Sequence, residues 1–139
     1  MRVLVIDDEP DVLLLCRVNL GHAGCEVAEA SDGRQGLDEA RGTQPDAVVL
    51  DLMLPGVDGF RVLDELASDP RTERIPVLVL TAKAQQEDEE RCARLGADAF
   101  LTKPFSPEAL VEAVTTLASA DREQVLRRRK KARRELERA

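Results

Sequence analysis

The chain has 139 residues, a length that suits one domain and is too short for two. Hydrophobic residues make up 43% of it and charged residues 34%, a balance that suits a soluble globular domain, and no apolar run approaches the roughly 20 residues of a transmembrane helix, so a membrane span is excluded. Residues 121–139 hold nine Lys or Arg against four Asp or Glu, so this tail is basic although the whole chain has a formal net charge of −7. The remaining acidic body is a poor surface for nucleic acid, whose binding depends on Lys and Arg, and only the tail has suitable charge.

The first residues and the cysteines favour a cytoplasmic protein. The apolar run Val3–Ile6 is cut short by Asp7, so it is too short for a signal peptide. The cysteines are odd in number and lack Cys-x-x-Cys or Cys/His spacing, so neither a disulfide framework nor a zinc site is predicted. We expect three small buried side chains at Cys16, Cys25 and Cys92.

Short apolar runs alternate with longer segments of helical period along the chain. This alternation is typical of βαβ units around a parallel sheet. The runs are rich in Val, Leu and Ile, which predicts strands buried on both faces. Five strands are predicted, at Val3–Ile6, Val27–Ala30, Ala47–Leu50, Val77–Leu80 and Ala99–Leu101.

Apolar residues at spacings of three and four predict helices between these strands. Four helices are predicted in this way, around Val12–Val18, Leu37–Ala40, Phe60–Leu66 and Cys92–Leu95. A fifth helix is predicted to begin at Ser106-Pro107-Glu108, because Ser suits the N-cap, Pro the first helical position and an acid the first turn. The pattern predicts a doubly wound α/β domain with helices on both faces of the sheet.

The basic tail is predicted to continue the fifth helix. Residues 108–139 contain neither Gly nor Pro, and residues 122–138 are rich in strong helix formers. We therefore expect one long protruding helix of about 48 Å, with a solvated and partly frayed arm as the alternative. A sparse heptad seam allows a homodimer through this helix. The seam consists of Ala118, Val125, Ala132, Leu136 and Ala139.

Polar residues interrupt the apolar pattern where the predicted strands end. Asp7 and Asp8 follow the first strand, Asp51 the third, Thr81 the fourth and Lys103 the fifth. The carboxyl ends of parallel strands share one edge of the sheet, where open α/β sheets bind their ligands. Burying these groups unpaired would be costly, and hard carboxylate oxygens suit Mg²⁺. The sequence therefore predicts a Mg²⁺ site built for phosphoryl chemistry.

In the predicted chemistry, a carboxylate oxygen of Asp51 attacks an incoming phosphoryl group in line. The metal and the ammonium of Lys103 offset charge on the equatorial oxygens, and the hydroxyl of Thr81 donates to one of them. A cis peptide bond between Lys103 and Pro104 is the arrangement that aims the ammonium inward. Because the acyl phosphate stays on the protein, we expect a signalling switch rather than an enzyme that releases a product.

Each of these residues alone has an ordinary structural explanation. An aspartate after a strand often caps a helix, and Lys103 before Pro104 is compatible with a surface charge. The order and spacing of four motifs favour a functional site over these separate structural explanations. Each motif follows a predicted strand or overlaps its end. In the order of the first, third, fourth and fifth strands, the motifs are D-D-E-P, D-L-M-L-P-G-V-D-G, L-T-A-K and F-L-T-K-P-F. Through these motifs, residues 1 to about 119 resemble the receiver domain of two-component response regulators, of which the chemotaxis protein CheY is typical.

The resemblance implies a five-stranded parallel sheet in the order 2-1-3-4-5, the flavodoxin-like arrangement, here with an extended C-terminal helix. It implies that Asp51 is the phosphoacceptor. It also implies that Asp8, Asp51 and the backbone carbonyl of Met53 bind Mg²⁺ directly, while Asp7 acts mainly through a metal-bound water. The domains are then 1–120, a receiver domain, and 121–139, a basic helical tail or linker.

The resemblance assigns further roles around the phosphoryl group. Thr81 and Lys103 contact it, and Phe100 is the switch aromatic that turns inward as the hydroxyl of Thr81 moves. In this family the lifetime of the phosphoryl group depends on the side chains two residues after the phosphoacceptor and two after the threonine, here Met53 and Lys83. Because Met53 hydrogen-bonds an attacking water poorly, we expect slow self-dephosphorylation.

The implied phosphoryl donor is a sensor histidine kinase or a phosphotransfer protein, and the implied output surface is the face of helix 4, strand 5 and helix 5. Two possibilities stay open: a stand-alone regulator or phosphorelay carrier, and the input half of a regulator with a DNA-binding or enzymatic output domain. A haloacid-dehalogenase-type phosphatase is disfavoured because its D-x-D motif would stand where this chain has D-D-E. Glu112 lies where winged-helix regulators usually carry an Arg, so their typical dimer is not expected.

Overall fold

The fold is a single parallel sheet between two layers of helices. The computed structural model describes residues 1–82 and 86–138. Its strands are ordered β2-β1-β3-β4-β5, and every neighbouring pair is parallel, which confirms the predicted doubly wound, flavodoxin-like fold. Each strand differs from its predicted range by a single residue at one end. The strands are β1 Arg2–Ile6, β2 Glu26–Ala30, β3 Ala47–Asp51, β4 Val77–Thr81 and β5 Ala99–Thr102.

The helices cover both faces of the sheet because the strand residues alternate between two cores. Leu4 and Leu50 point to a core built with α2, α3 and α4, whereas Val3 and Val49 point to a core built with α1 and α5. The helices are α1 Pro10–His22, α2 Gly33–Thr43, α3 Gly59–Ser68, α4 Gln86–Leu95, α5 Pro107–Ala118 and α6 Arg122–Arg138. None of these described helices is long and apolar enough to cross a bilayer.

The predicted C-terminal helix is present, but the prediction of one continuous, protruding helix is wrong. Helix α5 begins as predicted, with the hydroxyl oxygen of Ser106 accepting a hydrogen bond from the backbone N–H of Ala109, and it ends at Ala118. The next helix begins at Arg122, and Oδ1 of Asp121 accepts a hydrogen bond of 2.9 Å from the N–H of Glu123. An aspartate cap thus separates two helices where neither Gly nor Pro marks a break.

Helix α6 docks on the body instead of projecting from it. Val125, Leu126 and Arg129 are buried, and the helix packs against α4. Its ion pairs and hydrogen bonds reach residues that precede strands, including Asp46 before β3 and Asp98 before β5. The helix therefore lies at the edge of the sheet formed by the N-terminal ends of the strands. Val125 of the proposed heptad seam is used within the chain, and Ala139 lies outside the described residues.

The three cysteines are buried free thiols, as predicted. Burial raises the pKa of the Cys16 thiol to about 12, and burial raises that of Cys92 to about 11.

Candidate functional site

The residues predicted to act together meet at the edge of the sheet formed by the C-terminal ends of the strands. Asp7 follows β1, Asp51 and Thr81 are the last residues of β3 and β4, and Lys103 follows β5. Asp7, Asp51 and Thr81 are almost fully buried, whereas Asp8 is exposed. One carboxylate oxygen each from Asp7, Asp8 and Asp51 lies within 4.8 Å of the other two. The structure therefore places three acidic groups at metal-binding distance from one another.

A close backbone approach fixes the loop that follows Asp51. The N–H of Leu52 donates a hydrogen bond to the carbonyl oxygen of Leu80, which continues the pairing of β3 with β4. A Cβ at Gly59, the first residue of α3, would lie 2.3 Å from the carbonyl oxygen of Leu52. Only glycine fits there without a shift of backbone, so the start of α3 is pressed against the residue next to Asp51.

Lys103 places its ammonium among three carboxylates. Its Nζ lies 3.1 Å from Oδ2 of Asp7, 3.1 Å from Oδ2 of Asp51 and 2.7 Å from Oε1 of Glu9. Burial by itself lowers the pKa of Lys103, but Glu9, Asp51 and Asp7 outweigh burial and hold that pKa above its usual value. An ammonium with three donors and three acidic neighbours stays charged.

The backbone at Lys103 is tied to the neighbouring strand. Its N–H donates a hydrogen bond of 2.8 Å to the carbonyl oxygen of Thr81, and the Lys103–Pro104 peptide bond is cis. The contact with Glu9 was not predicted. The D-D-E-P motif contains Glu9, but no local pattern links it to a lysine 94 positions away.

Asp7 has a buried oxygen that no hydrogen bond satisfies among the described residues. Its Oδ1 accepts a hydrogen bond of 2.9 Å from the N–H of Glu9, whereas its Oδ2 meets the Lys103 ammonium only as an ion pair. Burial raises the pKa of Asp7 to about 6, and the charge of Asp51 adds to this, while Glu9 and Lys103 act in the opposite direction. A buried anionic oxygen that has an ion pair but no hydrogen bond is suited to a hard cation, so the residues present fit Mg²⁺.

Asp51 is held in a defined orientation by two contacts. Its Oδ1 accepts a hydrogen bond of 3.0 Å from the N–H of Met53, and its Oδ2 accepts one of 3.1 Å from Nζ of Lys103. The side chain of Met53 stands in solvent beside this carboxylate, with the residue 63% exposed. Phe100 is half-buried and packs against the core beneath α2, α3 and α4. Lys83, the second residue expected to influence lifetime, lies outside the described residues.

Comparisons with known proteins identify the family of the chain. The sequence model of one family, the response regulator receiver domain, matches residues 3–115. RpaA of Synechocystis sp., a DNA-binding dual master transcriptional regulator, is 47% identical over 116 residues, which are 84% of this chain and 48% of RpaA. Protein PilH of Pseudomonas aeruginosa is 34% identical over 116 residues, which are 84% of this chain and 96% of PilH.

A solved structure with a similar fold is the receiver domain of the sensor histidine kinase PA1611 from Pseudomonas aeruginosa, which has a magnesium ion coordinated in its active-site cleft. It is 28% identical, covers 86% of this chain and 98% of that domain, and superposes with a TM-score of 0.78. The chain thus spans about half the length of RpaA and nearly all of PilH. With these matches and the acidic site at the end of β3, the chain belongs to the family of response regulator receiver domains.

Proposed function

We propose that Asp51 accepts a phosphoryl group in the presence of Mg²⁺, and that this modification switches the contacts of the domain with its output partner. The observation that carries the proposal is the arrangement around Lys103, whose Nζ lies 3.1 Å from both Asp7 and Asp51. This arrangement keeps the Asp51 carboxylate buried and oriented at the mouth of an open sheet edge, where a phosphoryl donor has access.

The proposed step is an in-line displacement at phosphorus. A carboxylate oxygen of Asp51 forms the new bond, while the bond from phosphorus to a histidine nitrogen of the donor breaks and its electrons stay on that nitrogen. Mg²⁺, when bound by Asp8, Asp51 and the backbone carbonyl of Met53, with Asp7 acting mainly through a water, supplies positive charge to the phosphoryl oxygens. Lys103 contributes a second positive charge, since its Nζ already lies at hydrogen-bond distance from Asp51.

The proposed switch couples this step to the surface. The hydroxyl of Thr81, at the end of β4, moves to a phosphoryl oxygen, and Phe100 turns inward into the space that this movement leaves. Phe100 is already half-buried on β5, whose residue Thr102 pairs with Thr81 across the two strands. Changes at these two residues reach the face formed by α4, β5 and α5, which we propose as the output surface.

The partners follow from the same proposal. A sensor histidine kinase or a phosphotransfer protein supplies the phosphoryl group, and the domain works in the cytoplasm. Its relatives include a regulator about twice its length, RpaA, and one of nearly equal length, PilH, so a stand-alone role and an input role both have a precedent. A homodimer through α6 would have to use Ala132 and Leu136, because Val125 is buried within the chain.

Intact-mass measurement after incubation with acetyl phosphate and Mg²⁺ tests the proposal. The unmodified chain should gain one phosphoryl group, the gain should disappear with a chelator, and Asp51→Asn should gain none. Asp38→Asn removes an equal charge from an exposed position on α2 and serves as the matched control. Phosphorylation of Asp51→Asn at the rate of the control would overturn the assignment of Asp51.

A further inference from the structure

The docked helix α6 presents a row of cations on the side that faces away from the body. The five residues recur at spacings of three and four, so they fall in a sector of roughly 100° and extend over about 17 Å of helix. All five are exposed. We name this row the α6 basic ridge, and it consists of Arg127, Lys130, Lys131, Arg134 and Arg138.

The ridge is distinct from the cations that attach α6 to the body. Arg129 is buried, and Nη2 of Arg129 donates a hydrogen bond of 2.7 Å to the carbonyl oxygen of Ile75. Three further arginines of α6 form ion pairs with acids of the body, at 2.9, 3.0 and 3.9 Å. These pairs are Arg122 with Asp46, Arg128 with Asp98, and Arg133 with Asp64.

The ridge cations have no ion-pair partner within residues 1–82 and 86–138. Like charges three and four residues apart on a helix repel one another and lower the stability of the helix. The packing of Val125 and Leu126 holds the helix in place despite this repulsion. An array of unpaired charges in a fixed row is therefore available to an external polyanion.

We propose that the α6 basic ridge binds the phosphate backbone of duplex DNA without reading its sequence. A cationic row on a convex helix fits the major groove of B-form DNA, which is about 12 Å wide and admits an α-helix. The contact is electrostatic and releases condensed counterions, so it depends strongly on salt.

Other polyanions fit the ridge less well. Binding of single strands relies on aromatic side chains that stack on the bases, and the Phe residues of this chain, Phe60, Phe100 and Phe105, all precede α6. Binding to an anionic membrane relies on an apolar helix face beside the charges. On α6 the apolar residues Val125 and Leu126 are buried against the body, and Leu136 remains only 38% exposed.

The acidic body sets the expected strength of this contact. Residues outside the tail carry an excess of Asp and Glu, which repel DNA, so binding should be weak at physiological salt and measurable at low salt. If the five ridge cations each contact one phosphate, the logarithm of the affinity should fall with the logarithm of the salt concentration with a slope of about −4 to −5.

Fluorescence anisotropy of labelled duplexes of about 30 base pairs, with two unrelated sequences, tests the proposal on the full chain. We expect equal affinity for both sequences, and the salt dependence given above over the range of about 50 to 200 mM NaCl. The variant that neutralises the whole ridge should bind at least tenfold more weakly. Its substitutions are Arg127→Gln, Lys130→Gln, Lys131→Gln, Arg134→Gln and Arg138→Gln. The control variant neutralises five exposed cations of the body, and circular dichroism checks that both variants are folded. The control positions are Arg2, Arg17, Arg34, Arg61 and Arg94.

Three outcomes would overturn the proposal: no binding at the lowest salt, equal loss in the ridge and control variants, or equally tight binding to single strands or to phosphatidylserine vesicles. The ridge is separate from the phosphoacceptor. Asp51→Asn should therefore bind DNA as the unmodified chain does, so failure at one site leaves the other assignment testable.

Discussion

Nη2 of Arg129 lies 2.9 Å from Oδ2 of Asp98, and both side chains are almost completely buried. Asp98 also accepts a hydrogen bond of 2.8 Å from the N–H of Val77, so one carboxylate joins α6 to the start of β4 and stands directly before β5. Nε and Nη1 of Arg129 have no hydrogen-bond partner among the described residues, and burial lowers the pKa of its guanidinium. The contact fixes the position of α6, but part of the buried arginine is left unsatisfied.

Replacing Arg129 should release α6 without unfolding the sheet. In Arg129→Ala the buried Asp98 loses a partner, a change that costs about 3 kcal/mol when a buried pair is broken. We expect α6 to undock alone, so the loss should appear as local opening, with amide hydrogen exchange in α6 at least tenfold faster and exchange in β1 and β3 unchanged. Arg133→Ala, which removes an exposed pair of 3.9 Å, is the control and should change little. Equal acceleration in the strands would contradict local release.

Removing the Lys103 ammonium should destabilise the domain in the absence of Mg²⁺. Lys103→Met leaves the buried carboxylates of Asp7 and Asp51 without their cation. The free energy of unfolding should fall by about 2 kcal/mol, which is less than the cost of breaking a fully charged buried pair, because Asp7 can take up a proton. Urea unfolding followed by circular dichroism measures this cost. Added Mg²⁺ should recover part of it by binding the folded state. Glu9→Gln, at the exposed end of the same cluster, should cost less. An equal loss in both variants would mean that the ion pair between Lys103 and Glu9, rather than the buried carboxylates, accounts for the effect.

Gly59 and Gly42 should respond in opposite directions to alanine. A Cβ at Gly59 meets the backbone of Leu52, so Gly59→Ala should lower the free energy of unfolding by about 2 kcal/mol and slow phosphorylation at the adjacent Asp51. A Cβ at Gly42 meets nothing within 4 Å, so Gly42→Ala in helix α2 should raise the free energy of unfolding by about 0.5 kcal/mol. Denaturation and intact mass together check both effects. A neutral Gly59→Ala would mean that the loop after β3 shifts freely.

The side chain at Met53 should set how long the phosphoryl group lasts. The Met53 side chain is exposed, and its backbone N–H binds Asp51, so a substitution changes the surroundings of the acyl phosphate without removing that contact. Met53→Asn should lose the group faster, because an amide orients an attacking water and a thioether does so poorly. Decay of intact mass after removal of the donor measures the rate. Met53→Leu, an apolar substitution, should decay like the unmodified chain, and a Met53→Asn rate equal to that of Met53→Leu would count against the prediction.

The strands and the acidic site could be predicted because their signals are local. An apolar run that ends in Asp51 or Thr81 identifies both a buried strand and the polar residue at its end. The break between α5 and α6 is harder to predict, because neither Gly nor Pro marks it and an aspartate such as Asp121 is only a weak signal of a new helix when taken alone. The Arg129–Asp98 pair could not be predicted, since it joins residues 31 apart whose meeting depends on the docking of α6.

The burial of all three native thiols makes this chain suitable for spectroscopic labelling. Cys16, Cys25 and Cys92 are at most 8% exposed. The raised pKa values of Cys16 and Cys92 leave little thiolate on those two side chains at neutral pH. A maleimide or a nitroxide reagent will therefore react selectively with a cysteine introduced at the surface, for example in Lys131→Cys. Paired with a second introduced cysteine on the body, such a label allows the distance between α6 and the sheet to be followed by dipolar spectroscopy, with no native cysteine to be removed first.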